Sequence, residues 1–226
     1  MSESNRVVLI GGHGKVGLLA AGTLGAAGFA VDSIIRNPDH ADDVREAGGN
    51  PVVLDIESAD VDALARAFEG AKAVVFSAGA GGGDPKRTHA VDYEAAVRAM
   101  KAAERAGVRR FVMVSYAGAD RHVHELDPSD PFYPYARAKH DADAELRKTG
   151  LDYTILGPAL LTLEPASGKI MRAEEGGEDY PEERRVTSRA NVAEVIAHVV
   201  RTGEASRQTV NFYDGETPIA DLIGQA

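Results

Sequence analysis

An α/β fold built on a doubly wound parallel sheet is predicted by two features of the chain. Short apolar, β-branched runs alternate with amphipathic segments through the first two-thirds of its 226 residues. That alternation places parallel strands between helices covering both sheet faces, joined by right-handed crossovers. No linker, internal repeat or low-complexity tail interrupts the pattern, so one domain over 1–226 is expected, with about 155–226 forming a substrate-side region.

The elements follow from periodicity. Arg6–Ile10 is an apolar run ending at glycines, and Lys15–Ala27 is a helix-like segment stopped by Gly28. Val31–Ile35 and Pro51–Leu54 read as strands with a short helix between them. Val61–Phe68 reads as a helix and Ala73–Phe76 as a buried strand. From Ala90, the residues Tyr93, Ala96, Val97, Met100 and Ala103 recur at helical spacing until Gly107. Phe111–Val114 is a strand. Tyr135, Ala138, Ala142 and Leu146 share one helical face ending at Gly150, and Tyr153–Leu156 is the next strand. Beyond it, Gly168–Met171 and Arg185–Thr187 read as short strands, Val192–Val200 as a helix and Thr209–Phe212 as a last strand. The acidic stretch 173–183 reads as a solvated loop.

Composition narrows the function. Acidic residues outnumber basic ones 35 to 25, and tryptophan is absent; this opposes binding to nucleic acid or an anionic membrane. No cysteine is present, which excludes disulfides, thiolate ligands and a cysteine nucleophile. The polar start, followed directly by a strand-like run, is unlike a signal peptide, and no apolar stretch reaches transmembrane length. A cytoplasmic protein acting on a small molecule is expected. Monomer and homodimer remain equally open.

The segment "RVVLIGGHGKVG", residues 6–17, carries the strongest local signal. A buried strand enters Gly11, Gly12, Gly14 and Gly17, and a helix follows. Glycines there permit a tight turn, close approach of a diphosphate and close helix–strand packing, with helix N–H groups facing the anion. In a Rossmann-like unit this is a dinucleotide site. His13, Lys15 and Val16 belong to the same turn. The second strand ends at Arg36-Asn37 rather than at an acid, and a guanidinium there favours the 2′-phosphate of NADP over NAD. Asp55-Ile56 and Ser77-Ala78-Gly79 end the third and fourth strands on the same side, bordering adenine and diphosphate or ribose. Gly79–Gly83 reads both as a flexible loop and as a place for close approach of the cofactor.

Ser115 and Tyr116 follow the fifth strand, and Tyr135-Ala136-Arg137-Ala138-Lys139 opens the next helix after a long loop. Tyr135 and Lys139, four apart, share a helical face; Tyr133 does not share that spacing. With "VDYEAAVRAMKAAERAGVRRFVMVS", "YARAKHDADAEL", "LDYTILGPALLT" and "VTSRANVAEVI", these residues resemble the short-chain dehydrogenase/reductase superfamily over about residues 6–200. The chain is most similar to its atypical, single-domain members, a group that includes flavin and biliverdin reductase-like proteins. The resemblance implies that Tyr135 exchanges a proton with the substrate oxygen and Ser115 orients that oxygen. Lys139 would hold the nicotinamide ribose and lower the tyrosine pKa. It also implies that Pro158, Ala159 and Leu160 border the cofactor. Gly157-Pro158 and Asn191 depart from the Arg-Pro and aspartate common in relatives.

His122, His124, Glu125 and Asp127 read as a polar loop rather than a metal site. Glu164-Pro165 fits a pocket rim and a simple turn equally well. The leading expectation is an NADP-dependent oxidoreductase acting on a small carbonyl, quinone or flavin-like acceptor. The alternatives are an NADP(H)-sensing regulator without turnover, and an epimerase or dehydratase using tightly held nucleotide.

Overall fold

The computed structural model describes residues 4–81, 84–173 and 181–224. The described chain forms a nine-stranded sheet in the order β11-β8-β10-β6-β5-β4-β1-β2-β3. Strands β1 (Arg6–Ile10), β2 (Ala30–Ile35), β3 (Asn50–Val53), β4 (Ala73–Phe76), β5 (Arg110–Val114), β6 (Asp152–Pro158) and β10 (Gln208–Asp214) are mutually parallel. The short β8 (Lys169–Arg172) runs antiparallel to β10 and to β11 (Thr217–Pro218). A separate two-stranded ladder joins β7 (Leu160–Thr162) to β9 (Val186–Ser188).

The chain order reverses between β1 and β4, the switch point where a doubly wound sheet opens a crevice at its carboxyl edge. Alternation along β1 explains why both faces are covered. Val7 and Leu9 pack toward Leu24 of α1 (Lys15–Ala26) and Val195 and Ile196 of α8 (Arg189–Thr202). Val8 and Ile10 pack on the opposite side with Leu64 and Phe68 of α3 (Val61–Phe68), Met100 of α5 (Ala96–Arg105) and Leu146 of α7 (Tyr133–Lys148). Each strand residue thus buries its side chain on alternate faces, as the pleat requires.

The expected first two-thirds stands, with a few boundary changes. The helical stretch before α5 begins earlier than Ala90. Asp84 caps α4 (Pro85–Thr88) by accepting from the Lys86 amide, and a π-helical turn over His89–Ala95 continues into α5. The loop ahead of Tyr135 contains α6 (Ala119–Glu125), whose polar, histidine-rich sequence gives little apolar periodicity. Strands β7 and β11 and helix α9 (Ile219–Ile223) also exceed the sequence expectations. Residues 82–83 of the glycine run and 174–180 of the acidic stretch lie outside the described residues. Among the described residues, no helix is long and apolar enough to cross a membrane.

Candidate active site

The turn after β1 is fixed by backbone geometry. Gly11 has φ +86°, a left-handed conformation natural to glycine, and a Cβ there would lie 2.7 Å from the Ala78 nitrogen. A Cβ on Gly17 would collide with the Gly11 carbonyl oxygen, so this glycine lets α1 sit directly against the turn. Gly12 serves packing too, since its added Cβ would meet Ser33 Cβ at 2.5 Å. Gly14 is the N-cap of α1 and offers no side-chain acceptor. The first N–H groups of that helix are therefore available to an anion. Beside them Ser77 has a buried Oγ without a hydrogen-bond partner, in the groove that Gly11 and Gly14 line. A narrow glycine cradle, a helix N-terminus and an unsatisfied hydroxyl are a fit for a dinucleotide diphosphate.

A cavity of about 260 Å³ extends from this cradle along the ends of β2 and β3. Arg36, Asn37, Asp55 and Ile56 line it, together with His13 and His40, whose rings stack at 3.6 Å. Arg36 Nη1 donates to Glu57 Oε1 at 2.7 Å, and Arg87 Nε donates to the same oxygen at 3.1 Å. One carboxylate thus holds two guanidiniums at the end of this cavity beyond β2 and β3. His13 Nε2 lies 2.8 Å from Asp43 Oδ2. Asn37 Oδ1 accepts from the Asp39 amide, and Asp55 Oδ1 accepts from the Glu57 amide, so both shape the rim.

The second part of the groove is a cavity of about 840 Å³. It shares Gly14, Ser77, Ala78 and Gly79 with the first and continues past Lys15 and Val16 to Ser115, Tyr135 and Lys139. The strand end and the helix therefore do bring the three candidate catalytic residues to one cavity. Lys139 is only 2% exposed; its Nζ donates to the Val114 carbonyl at 2.7 Å and lies 4.0 Å from Asp92 Oδ1. Asp92, in the π-helical turn, is also buried and accepts from the Ala80 amide at 3.0 Å. Burial raises its pKa, opposed by the Lys139 charge, the Ala80 amide and Arg87.

Ser115 Oγ donates to Asp143 Oδ2 at 2.5 Å, and both residues are buried. Burial pushes the Asp143 carboxyl up to about 6, against the pull of Lys139, the Ser115 hydroxyl and Arg147. Tyr135 rests against Tyr116 and Phe132, with ring centroids 5.4 and 5.3 Å away. Its phenol lies above the usual range, chiefly through burial, then through Asp92, Tyr116 and Asp143. Burial and these neighbours thus act against the lowering expected from Lys139, whose ammonium is engaged by the Val114 carbonyl and lies near Asp92.

Other expected residues stand back from the groove. Pro158 completes β6, the Ala159 amide donates to Thr187 Oγ1, and Leu160 is an exposed side chain; Leu161 is the neighbour that lines the larger cavity. Tyr133 interacts with Arg137 at the helix entrance, and Glu164 and Pro165 are exposed outside both cavities. His122 packs on Tyr116, and Asp127 accepts from Ser129. At Gly157 the space of a side chain is taken by Asn211. Glu57, Arg87, Asp92 and Asp143 escaped the sequence reading. Only Asp143 had a local signal, since it continues the four-residue spacing from Tyr135 through Lys139.

Switch-point crevice, glycine cradle and tyrosine–lysine cavity together define a Rossmann-like dinucleotide-binding protein. The chain belongs to the NAD(P)H-binding family, whose model matches residues 11–202. It is 30% identical to the uncharacterized sugar epimerase YhfK of Bacillus subtilis, over 96% of this chain and 98% of that protein. A structure from Bacillus halodurans, described as a candidate NAD-dependent epimerase/dehydratase, matches with TM-score 0.87 and 31% identity, covering 98% of this chain and 99% of that one. The oxidoreductase ylbE of Lactococcus lactis matches with TM-score 0.82 and 26% identity, over 97% and 95%.

Proposed function

We propose that the protein is an NADP(H)-dependent oxidoreductase that reduces a small carbonyl, quinone or flavin-like acceptor. The observation that carries this reading is the single groove joining the glycine cradle to the cavity of Ser115, Tyr135 and Lys139. Bound reduced nicotinamide would supply a hydride to the acceptor. The chain's part is to deliver the proton and hold the oxygen that takes it. Tyr135 is protonated at neutral pH and so can serve as the general acid in the reductive direction; burial raises its phenol further, which weakens it as an acid. Lys139 sits one helical turn away, anchored to the Val114 carbonyl and facing the same cavity as a ribose-binding ammonium. Arg36 and Arg87 supply the cationic end for a 2′-phosphate, with Glu57 as the group that phosphate displaces.

The names of the Bacillus relatives support a second reading, an epimerase or dehydratase with tightly held nucleotide. The two part on stoichiometry. A broad acceptor panel followed by loss of NADPH absorbance should find stoichiometric consumption, reduced at least 100-fold in Tyr135→Phe. Product change without net NADPH consumption would favour the second reading. Turnover unaffected in both Tyr135→Phe and Lys139→Ala would remove that pair from the mechanism.

A further inference from the structure

We propose that Asp143 is the positioning residue for Ser115: its protonation state decides whether the serine hydroxyl is held by the carboxylate or released to an acceptor oxygen in the main cavity. This inference rests on the reductase reading for its consequence, but not for its geometry.

Ser115 has one proton, and in the structure it goes to Asp143 Oδ2. The serine therefore presents lone pairs to the cavity it lines, the wrong polarity for a carbonyl oxygen. The remaining oxygen, Asp143 Oδ1, is buried and has no partner. If Ser115 turned to an acceptor while Asp143 stayed ionised, both carboxylate oxygens would lack this donor in a buried site. Such a loss carries the desolvation penalty of a charged group. A protonated Asp143 avoids it, because its O–H donates to Ser115 Oγ and leaves the serine proton for the acceptor.

Proton access is also built in. Asp143 lines a second cavity of about 450 Å³, which Ser115 does not line. Tyr116, whose hydroxyl is likewise buried and unpartnered, lines it too. The charged and titratable groups around Asp143 are Tyr135, Lys139 and Arg147 on its own helix, Tyr116 after β5, and Asp120 and Arg121 on α6. Asp92 lies beyond Lys139, and Arg185 and Tyr213 line the second cavity. Arg147 is tied to Asp120 at 2.8 and 3.0 Å and to Thr209 at 3.1 Å, so its pull on Asp143 is shared. The outcome is a carboxyl with a midpoint near 6, within the range where small changes of pH change its charge.

Carboxyl-carbon NMR titration of the full chain tests the coupling without any turnover. The Asp143 signal, assigned through the backbone, should titrate near pH 6 in the native protein and vanish in Asp143→Asn. In Ser115→Ala its midpoint should rise by about one unit, since the charged form loses its donor. An Asp143 midpoint in the ordinary carboxylate range, or one unmoved by Ser115→Ala, overturns the proposal. In the turnover arm, kcat/KM of the native protein should fall about tenfold as pH rises through that midpoint. Asp143→Asn donates from its amide at every pH and should lose this limb. The same limb persisting in Asp143→Asn also overturns the proposal. If no acceptor is reduced while the Ser115-dependent titration is intact, the reductase reading fails and the Ser115–Asp143 coupling stands.

Discussion

Arg36 shows how one residue can be visible in sequence while its meaning depends on an invisible neighbour. Its position at the end of β2 is set by local chain order, so it was legible. Glu57, in the segment after β3, accepts from both Arg36 and Arg87, and Arg87 arrives from α4, later in the chain; nothing local announces that convergence. The pair makes opposite predictions. Arg36→Ala should weaken NADPH binding about tenfold more than NADH binding, because only NADPH carries the 2′-phosphate. Equal losses in a fluorescence titration of both cofactors would contradict that contact. Glu57→Gln should tighten NADPH a few-fold by removing a carboxylate that competes with the phosphate, and leave NADH nearly unchanged.

At the scale of elements, α1 contains a built-in comparison. Gly17 faces the Gly11 carbonyl with no room for a methyl, whereas Gly25 has nothing within 4 Å of an added Cβ. Gly17→Ala should therefore cost about 1–3 kcal/mol and impair cofactor binding. Gly25→Ala should add about 0.5 kcal/mol through helix propensity alone. Thermal unfolding of the two variants checks both signs. Helix α7 has a pH signature of its own. The folded pKa of Asp143 is raised, so its contribution is full below about pH 4, the unfolded value, and is lost as pH rises toward 6. Relative to Asp143→Asn, the native protein should lose about 2 kcal/mol of stability across that interval. Denaturant unfolding of both at several pH values measures the difference. A constant gap would show that Asp143 is not buried as a strained charge. Apolar periodicity made α1, α3, α5 and α7 readable, because each buries a stripe against the sheet. Helix α6 lacked such a stripe, and the three-residue β7 follows β6 almost directly, so neither left a pattern of its own, whereas β9, the partner of β7, reads one residue early in the sequence, at 185–187.

Across the whole molecule, the C-terminal third shares the apolar core of the sheet through α8 and β10, but its short strands and loops are tied in by polar convergence, which leaves no periodic pattern in the sequence. Asn191 is fully buried at the start of α8. Its Oδ1 accepts from the Ser167 and Gly168 amides, and its Nδ2 donates to Asp214 Oδ1 at 2.7 Å, with Ser167 Oγ and the Lys169 carbonyl also in reach. The other oxygen of Asp214 accepts from the Ser188 amide at 2.8 Å. One side chain thus ties the segment before β8, the entry to α8 and the end of β10. The asparagine answers Asp214, whose carboxylate needs a donor facing it. Asn191→Asp would set a second carboxylate against it in a buried site. The expected cost is about 3 kcal/mol near neutral pH. It should shrink in mild acid, where one proton shared between the two carboxyls restores a donor. Asn191→Ala removes the donor without adding charge, so its loss should vary far less with pH. Urea unfolding at about pH 7.5 and pH 5 separates the two. A pH-independent loss in Asn191→Asp would mean that the new carboxylate turns away from Asp214, and that the C-terminal region is held by its apolar contacts instead.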